Sequence, residues 1–166
     1  MKFSSPEIFH QRISLFFHLM IALPLIIFVY LFLEMKHNDL SPVITTSVLE
    51  HAVNVGFTLI SGFITVFAYV TYSRTLLSTR MLEGLSNKLE RYFGLFLKLY
   101  TMVGFASALV VLGLFLTTSP IFIVDYVLLL FILSLHRPTP KKYVNDLRLE
   151  GKERKIILSK GEFTSN

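Results

Sequence analysis

The chain has 166 residues, of which 53% are hydrophobic and 16% charged, with a mean hydropathy of +0.62. Soluble domains carry roughly a quarter of charged residues, so this composition exceeds what a water-soluble core hides and points to lipid as the solvent. A net charge of +5 without a nucleic-acid motif argues against nucleic acid as a partner, and the absence of cysteine excludes disulfides and thiolate metal sites.

The apolar residues are gathered into four runs, each near the roughly 20 residues that a helix needs to cross a hydrocarbon core. A bilayer admits only helices or closed barrels, because each backbone donor and acceptor must be satisfied within the spanning structure. The expected fold is therefore all-α, an integral membrane four-helix bundle. Its membrane domain covers residues 1–137, and a basic cytoplasmic tail covers 138–166.

The first run, "ISLFFHLMIALPLIIFVYLFL" (13–33), is longer than the apolar core of a signal peptide, about 7 to 15 residues. "EMKHNDL" follows it in place of a small-residue cleavage site, so it reads as a retained span. His18 lies inside it and is expected to bond to a neighbouring helix. A haem pairing of His18 with His136 is conceivable but disfavoured by depth, and no pair of histidines shares a span at ligand spacing.

The second run is "AVNVGFTLISGFITVFAYVTY" (52–72). Asn54, Thr58, Ser61, Thr65 and Ala68 repeat every three or four residues, with Gly62 beside them. This stripe of small and hydroxyl-bearing side chains packs helices closely in lipid or lines a narrow path. Between residues 78 and 97 the pattern turns amphipathic, with Leu82, Leu85, Leu89, Tyr92, Phe93 and Phe96 on one face. The expectation is a cytoplasmic amphipathic extension of the third helix, with Lys98 snorkelling at the boundary.

The third run, "LYTMVGFASALVVLGLFLTT" (99–118), holds a second small pair, Gly104 and Ala108. The fourth, 120–136, is introduced by Ser119 and Pro120, which read as an N-cap and first helical residue. It carries Asp125 about 7 to 9 Å from the outer end of its helix, at 1.5 Å per residue. Asp125, Asn54 and His51 occupy similar depths, so they are expected to form an outer polar cluster. That cluster either holds a proton or cation or simply fixes the packing of the fourth helix.

Lys and Arg set the orientation. Arg74, Arg80, Lys88, Arg91 and Lys98 lie between spans two and three, and Arg137, Lys141, Lys142, Arg148, Lys152, Arg154, Lys155 and Lys160 lie in the tail. The first connection holds Lys36 against Glu34, Asp39 and Glu50, and "TTSP" is uncharged. Both termini are thus expected in the cytoplasm, in agreement with Lys2 and Arg12. Lys98, Arg137, Lys141 and Lys142 are the candidate contacts to lipid headgroups. With Trp absent, Tyr30 and Tyr126 outside and Tyr69, Tyr72 and Tyr92 inside are the candidate interfacial anchors. Tyr143, Val144, Leu147 and Leu149 of the tail lie either on the membrane or on the amphipathic helix.

Two stretches, "NKLERYFGLFLKLY" and "RPTPKKYVNDLRLEGKERKIIL", carry a resemblance. A KL-x-x-Y segment before span three and an RPT followed by DL-x-L after span four resemble uncharacterised four-span bacterial inner-membrane proteins. The acid that such proteins place early in span three has no counterpart in "TMVGFASA". The resemblance implies a fold and a bacterial inner-membrane location, and assigns no activity. No catalytic constellation, metal cluster or cofactor motif is visible. Two functions fit: association, with itself or within a larger membrane complex, or a small proton- or cation-coupled carrier or channel that uses Asp125.

Overall fold

A computed structural model describes residues 5–37 and 40–159; Lys2, Asp39 and Lys160, used above for orientation, lie outside the described residues. The described residues form six helices and no strand: α1 (Pro6–His37), α2 (Ser47–Arg80), α3 (Leu85–Thr117), α4 (Ile121–Leu135), α5 (Pro140–Leu147) and α6 (Gly151–Ser159). The fold is all-α. Three helices, α1 to α3, are long and apolar enough to cross a membrane, and up to four spans result if α4 and α5 count as one bent span. The 15 residues of α4 reach only about 22 Å at 1.5 Å each, short of a hydrocarbon core of roughly 30 Å.

The helices overrun the apolar runs. α2 continues through Thr71, Arg74, Thr75 and Ser78 to Arg80, because polar residues dilute hydropathy without opposing helix. The amphipathic segment therefore begins at Leu85, not at 78. Between the two helices Gly84 sits at φ +82°, a left-handed conformation that glycine adopts without a Cβ penalty, and its carbonyl accepts from Lys88 N to open α3. The turn from α3 to α4 is short. Thr118 takes φ 51°, and the amide of Phe122 bonds to the carbonyl of Ser119. Pro120 is the N-cap of α4 and no side chain caps it, so Ser119 does not play the expected role. α5 has the complete cap set that α4 lacks. Thr139 Oγ1 accepts from Lys142 N, Pro140 opens the helix, and Arg148 closes it at φ 51°.

The chain divides into two compact units, and α1, α2 and α3 each supply residues to both. The first contains residues up to His18, Tyr69–Leu99 and the chain from Arg137 onward. Its core is aromatic. Phe9 is fully buried with its ring 5.1 Å from that of Tyr143, edge-on, and 6.2 Å from that of Phe93; Tyr92 stands 4.7 Å from Phe96. Tyr143, Val144, Leu147 and Leu149 are all buried here, so the apolar face of the tail lies against protein, with Tyr143 5.7 Å from Tyr92 of α3.

The second unit contains Leu19–Ala68 and Tyr100–His136. Here α3 is the interior helix, burying Val103, Ala106, Ser107, Val110, Leu114 and Thr117. At Gly113 an added Cβ would lie 2.4 Å from the Phe122 ring, so this glycine lets α4 approach α3. The chain entering α2 is tied to the end of α3 by Ile44 N bonding to Leu116 O at 2.9 Å. By contrast, only 17% of the most apolar window of α1, and of α2, is buried, against 56% for α3.

Candidate functional site

Asp125 lies on α4 in the second unit. It is half-buried, and its Oδ2 accepts a 2.6 Å hydrogen bond from Thr58 Oγ1, its only hydrogen-bond partner among the described residues. The expected cluster is rearranged by one helical turn. Asn54 instead meets α3, where its Oδ1 accepts from Thr117 Oγ1 at 3.0 Å. His51 is exposed and bonds through Nδ1 to Ser47 O of its own helix at 2.9 Å. The pairing of Asp125 with Thr58 needs the helix register, which depends on where α2 and α4 start and on the turn at Thr118. None of these is visible as composition.

Beside Asp125 a cleft of about 230 Å³ is lined by Thr58, Ser61, Gly62, Thr65, Leu128 and Ile132, among others. Ser61 and Thr65 are buried, yet their hydroxyls donate back into α2, to Thr58 O at 3.0 Å and Ser61 O at 2.8 Å. They are internally satisfied and do not bridge to another helix. Gly62 is exposed with open space where a side chain would stand. The second small pair is split as well. Gly104 packs on Met20, with 3.3 Å between an added Cβ and Sδ, whereas Ala108 is exposed. The glycine that makes the closest helix contact is Gly113, which the small-residue pattern did not single out.

The first unit holds a polar centre that sequence reasoning missed. Asp146 Oδ2 accepts from Tyr92 Oη at 2.6 Å and Tyr72 Oη at 2.7 Å, and Lys142 Nζ stands 3.2 Å away. The backbone carbonyl of Asp146 accepts from Arg80 Nε at 2.6 Å. Nearby, His10 Nδ1 shares a 2.9 Å hydrogen bond with the Tyr143 hydroxyl, whose burial raises it above the ordinary phenol range. Lys88 pairs with Glu153 at 3.0 Å. The stretches that carried the family resemblance thus meet. Tyr92 of KL-x-x-Y bonds Asp146 of DL-x-L, and Leu147 and Leu149 of the latter are buried.

The headgroup residues divide accordingly. Lys98, Arg137 and Lys141 are exposed, but Lys142 is engaged by Asp146. Tyr72, Tyr92 and Tyr126 are not interfacial anchors. The first two bond Asp146, and Tyr126 is 1% exposed and stacked at 4.1 Å on Phe28; Tyr30 and Tyr69 are exposed. His18 bonds through Nδ1 to Ser14 O of its own helix at 2.6 Å, not to a neighbour. His136 Nδ1 bonds to Ile132 O, and its carbonyl accepts from Tyr100 Oη at 2.7 Å. Among the described residues no group of three or more His, Asp or Glu gathers as a metal site.

Another cleft, about 610 Å³, opens within the first unit between α2 and α3 and is lined by Thr71, Thr75, Asn87, Glu90, Arg91, Gly94 and Lys98 together with Leu82 and Leu95. No family model, curated protein or solved structure matches the chain.

Proposed function

We propose that this is a multi-pass protein of the bacterial inner membrane with both termini in the cytoplasm, and that it works non-catalytically, by association with itself or as an accessory subunit of a membrane complex. The observation that carries the reading is the apolar surface left outside the second unit. On α2, Leu59, Phe63, Val66 and Phe67 are 66%, 71%, 62% and 51% exposed. They flank Gly62, and open space lies over both Gly62 and Gly56. At about 25 cal/mol per Å² such a face is untenable in water. In lipid, a ridge beside a glycine notch is the surface on which helices pack. Purification in mild detergent tests the proposal. A discrete oligomer or a stoichiometric partner is expected, and replacing Gly62 by Leu should dissociate it; a monomer that co-purifies with nothing overturns it.

A second reading rests on Asp125. A carboxylate with a single hydroxyl partner beside an open cleft suits a proton or small cation near the outer mouth of a carrier or channel. Under that reading Asp125→Asn abolishes flux in liposomes at unchanged expression and oligomer size. Under association alone it leaves flux, if any, untouched.

A further inference from the structure

We infer that the cleft between the α2 and α3 segments of the first unit binds the phosphate of an anionic lipid headgroup, through Arg91 and Lys98. The inference rests on the membrane reading above, which puts this part of the chain at the cytoplasmic surface. It concerns a site that the association reading does not use.

Asn87, Arg91, Gly94 and Lys98 follow one another at four, three and four residues along α3, so they share one face of that helix. Thr71 and Thr75 of α2 line the same cleft. Arg91 and Lys98 are exposed and have neither an ion-pair nor a hydrogen-bond partner among the described residues, unlike Lys88 and Lys142 in the same unit. Glu90 also lines the cleft, so two cations stand against one carboxylate and the surplus is positive. A volume of about 610 Å³ lies within the range of small-ligand pockets, about 300–1,000 Å³.

Gly94 adds an independent argument. A glycine inside a helix weakens it relative to alanine, and here no tight contact excuses it, since an added Cβ would meet nothing within 4 Å. Its effect is to leave a gap between the two cations, where a bulky headgroup can approach the helix. Thr71 Oγ1 has no hydrogen-bond partner among the described residues and remains available as a donor; Thr75 Oγ1 is used on Thr71 O at 2.9 Å. Leu82, exposed at the rim, supplies apolar surface for the start of an acyl chain. Guanidinium and ammonium donors beside an apolar rim match a phospholipid in which the phosphate is joined to a hydrocarbon tail.

The test uses the full chain in mild detergent, titrated with phosphatidylglycerol, phosphatidylcholine or inorganic phosphate and read by native mass spectrometry. The unaltered protein is expected to retain phosphatidylglycerol over phosphatidylcholine. Arg91→Gln with Lys98→Gln should weaken that binding about 30-fold, from about 1 kcal/mol per cation at a membrane surface. Gly94→Leu, which keeps every charge and raises helix propensity, should weaken it at least several-fold by filling the gap. Lys152→Gln with Lys155→Gln, exposed on α6 and outside the cleft, should change it less than about 3-fold. Equal binding by the cleft and control double variants overturns the site, as does displacement of the lipid by equimolar inorganic phosphate, which would make free phosphate the ligand. A protein that stays monodisperse without detergent would instead overturn the membrane reading.

Discussion

Replacing Asp146 with Ala should release α5 from the rest of its unit. The change removes the acceptor of two tyrosine hydroxyls, Tyr72 at 5% and Tyr92 at 0% residue exposure. Tyr72 Oη also stands 3.5 Å from Tyr92 Oη, so the phenols keep each other and one buried hydroxyl loses its acceptor, at about 1–3 kcal/mol. The ion pair to Lys142 adds little, because the side chains are 17% and 21% exposed and four residues apart on one helix; such pairs contribute about 0.3–0.5 kcal/mol. Hydrogen exchange read on peptides covering 140–149 reports this local opening directly. At about 1.4 kcal/mol per decade, Asp146→Ala should speed exchange there by at least about 5-fold, and Lys142→Ala by less than about 3-fold. If the two variants behave alike, or if Asp146→Ala leaves α5 protected, the tyrosine–carboxylate centre is not what holds the tail, and aromatic packing alone must do so.

Three further outcomes are expected. Gly113→Ala should destabilise the protein by about 1–3 kcal/mol through overpacking, since its Cβ would lie 2.4 Å from the buried Phe122 ring; Gly104→Ala should be close to neutral, because Met20 Sδ at 3.3 Å is the flexible end of a side chain, and thermal unfolding in detergent compares them. Thr139→Ala should cost about 0.5–2 kcal/mol by deleting the cap on Lys142 N, seen as faster exchange confined to the first turn of α5. In the cysteine-free chain, single cysteines at Ser119 and Ser159 should react from opposite sides of intact cells, Ser119 from outside and Ser159 only after permeabilisation; labelling of both from one side refutes the proposed topology.

What could be read from residues alone followed one physical rule. Long apolar runs announced α1 to α3 because hydropathy reports what lipid tolerates. The same rule misplaced their ends, since Thr71, Arg74 and Thr75 end the apolar run without ending the helix. The hydropathy pattern does not mark Gly84 as the left-handed residue that separates α2 from α3. Asp146 was illegible for a different reason. In sequence it is one acid in a basic tail, and the tyrosines that bond it lie 74 and 54 residues away. Near membrane ends, those tyrosines looked like interfacial anchors. Asp125 was conspicuous because a charge in an apolar run always is, but choosing Thr58 over Asn54 requires a helix register that composition does not encode.

The two carboxylates separate what the fold needs from what it leaves open. Asp146 presents one oxygen to two phenols and an ammonium, all supplied by the chain, so its charge is compensated by the act of folding. Asp125 receives a single hydroxyl and faces a cleft, in the unit whose surface is suited to lipid. Its remaining hydrogen-bonding capacity must be met from outside the described chain, by a proton, a cation, water or a partner helix. Asp125→Asn keeps an acceptor for Thr58, so thermal stability should change far less than in Asp146→Ala, while any flux or assembly that uses the site is lost. If the two variants destabilise their units equally, Asp125 is a packing residue like Asp146, and association through the exposed face of α2 stands as the only reading.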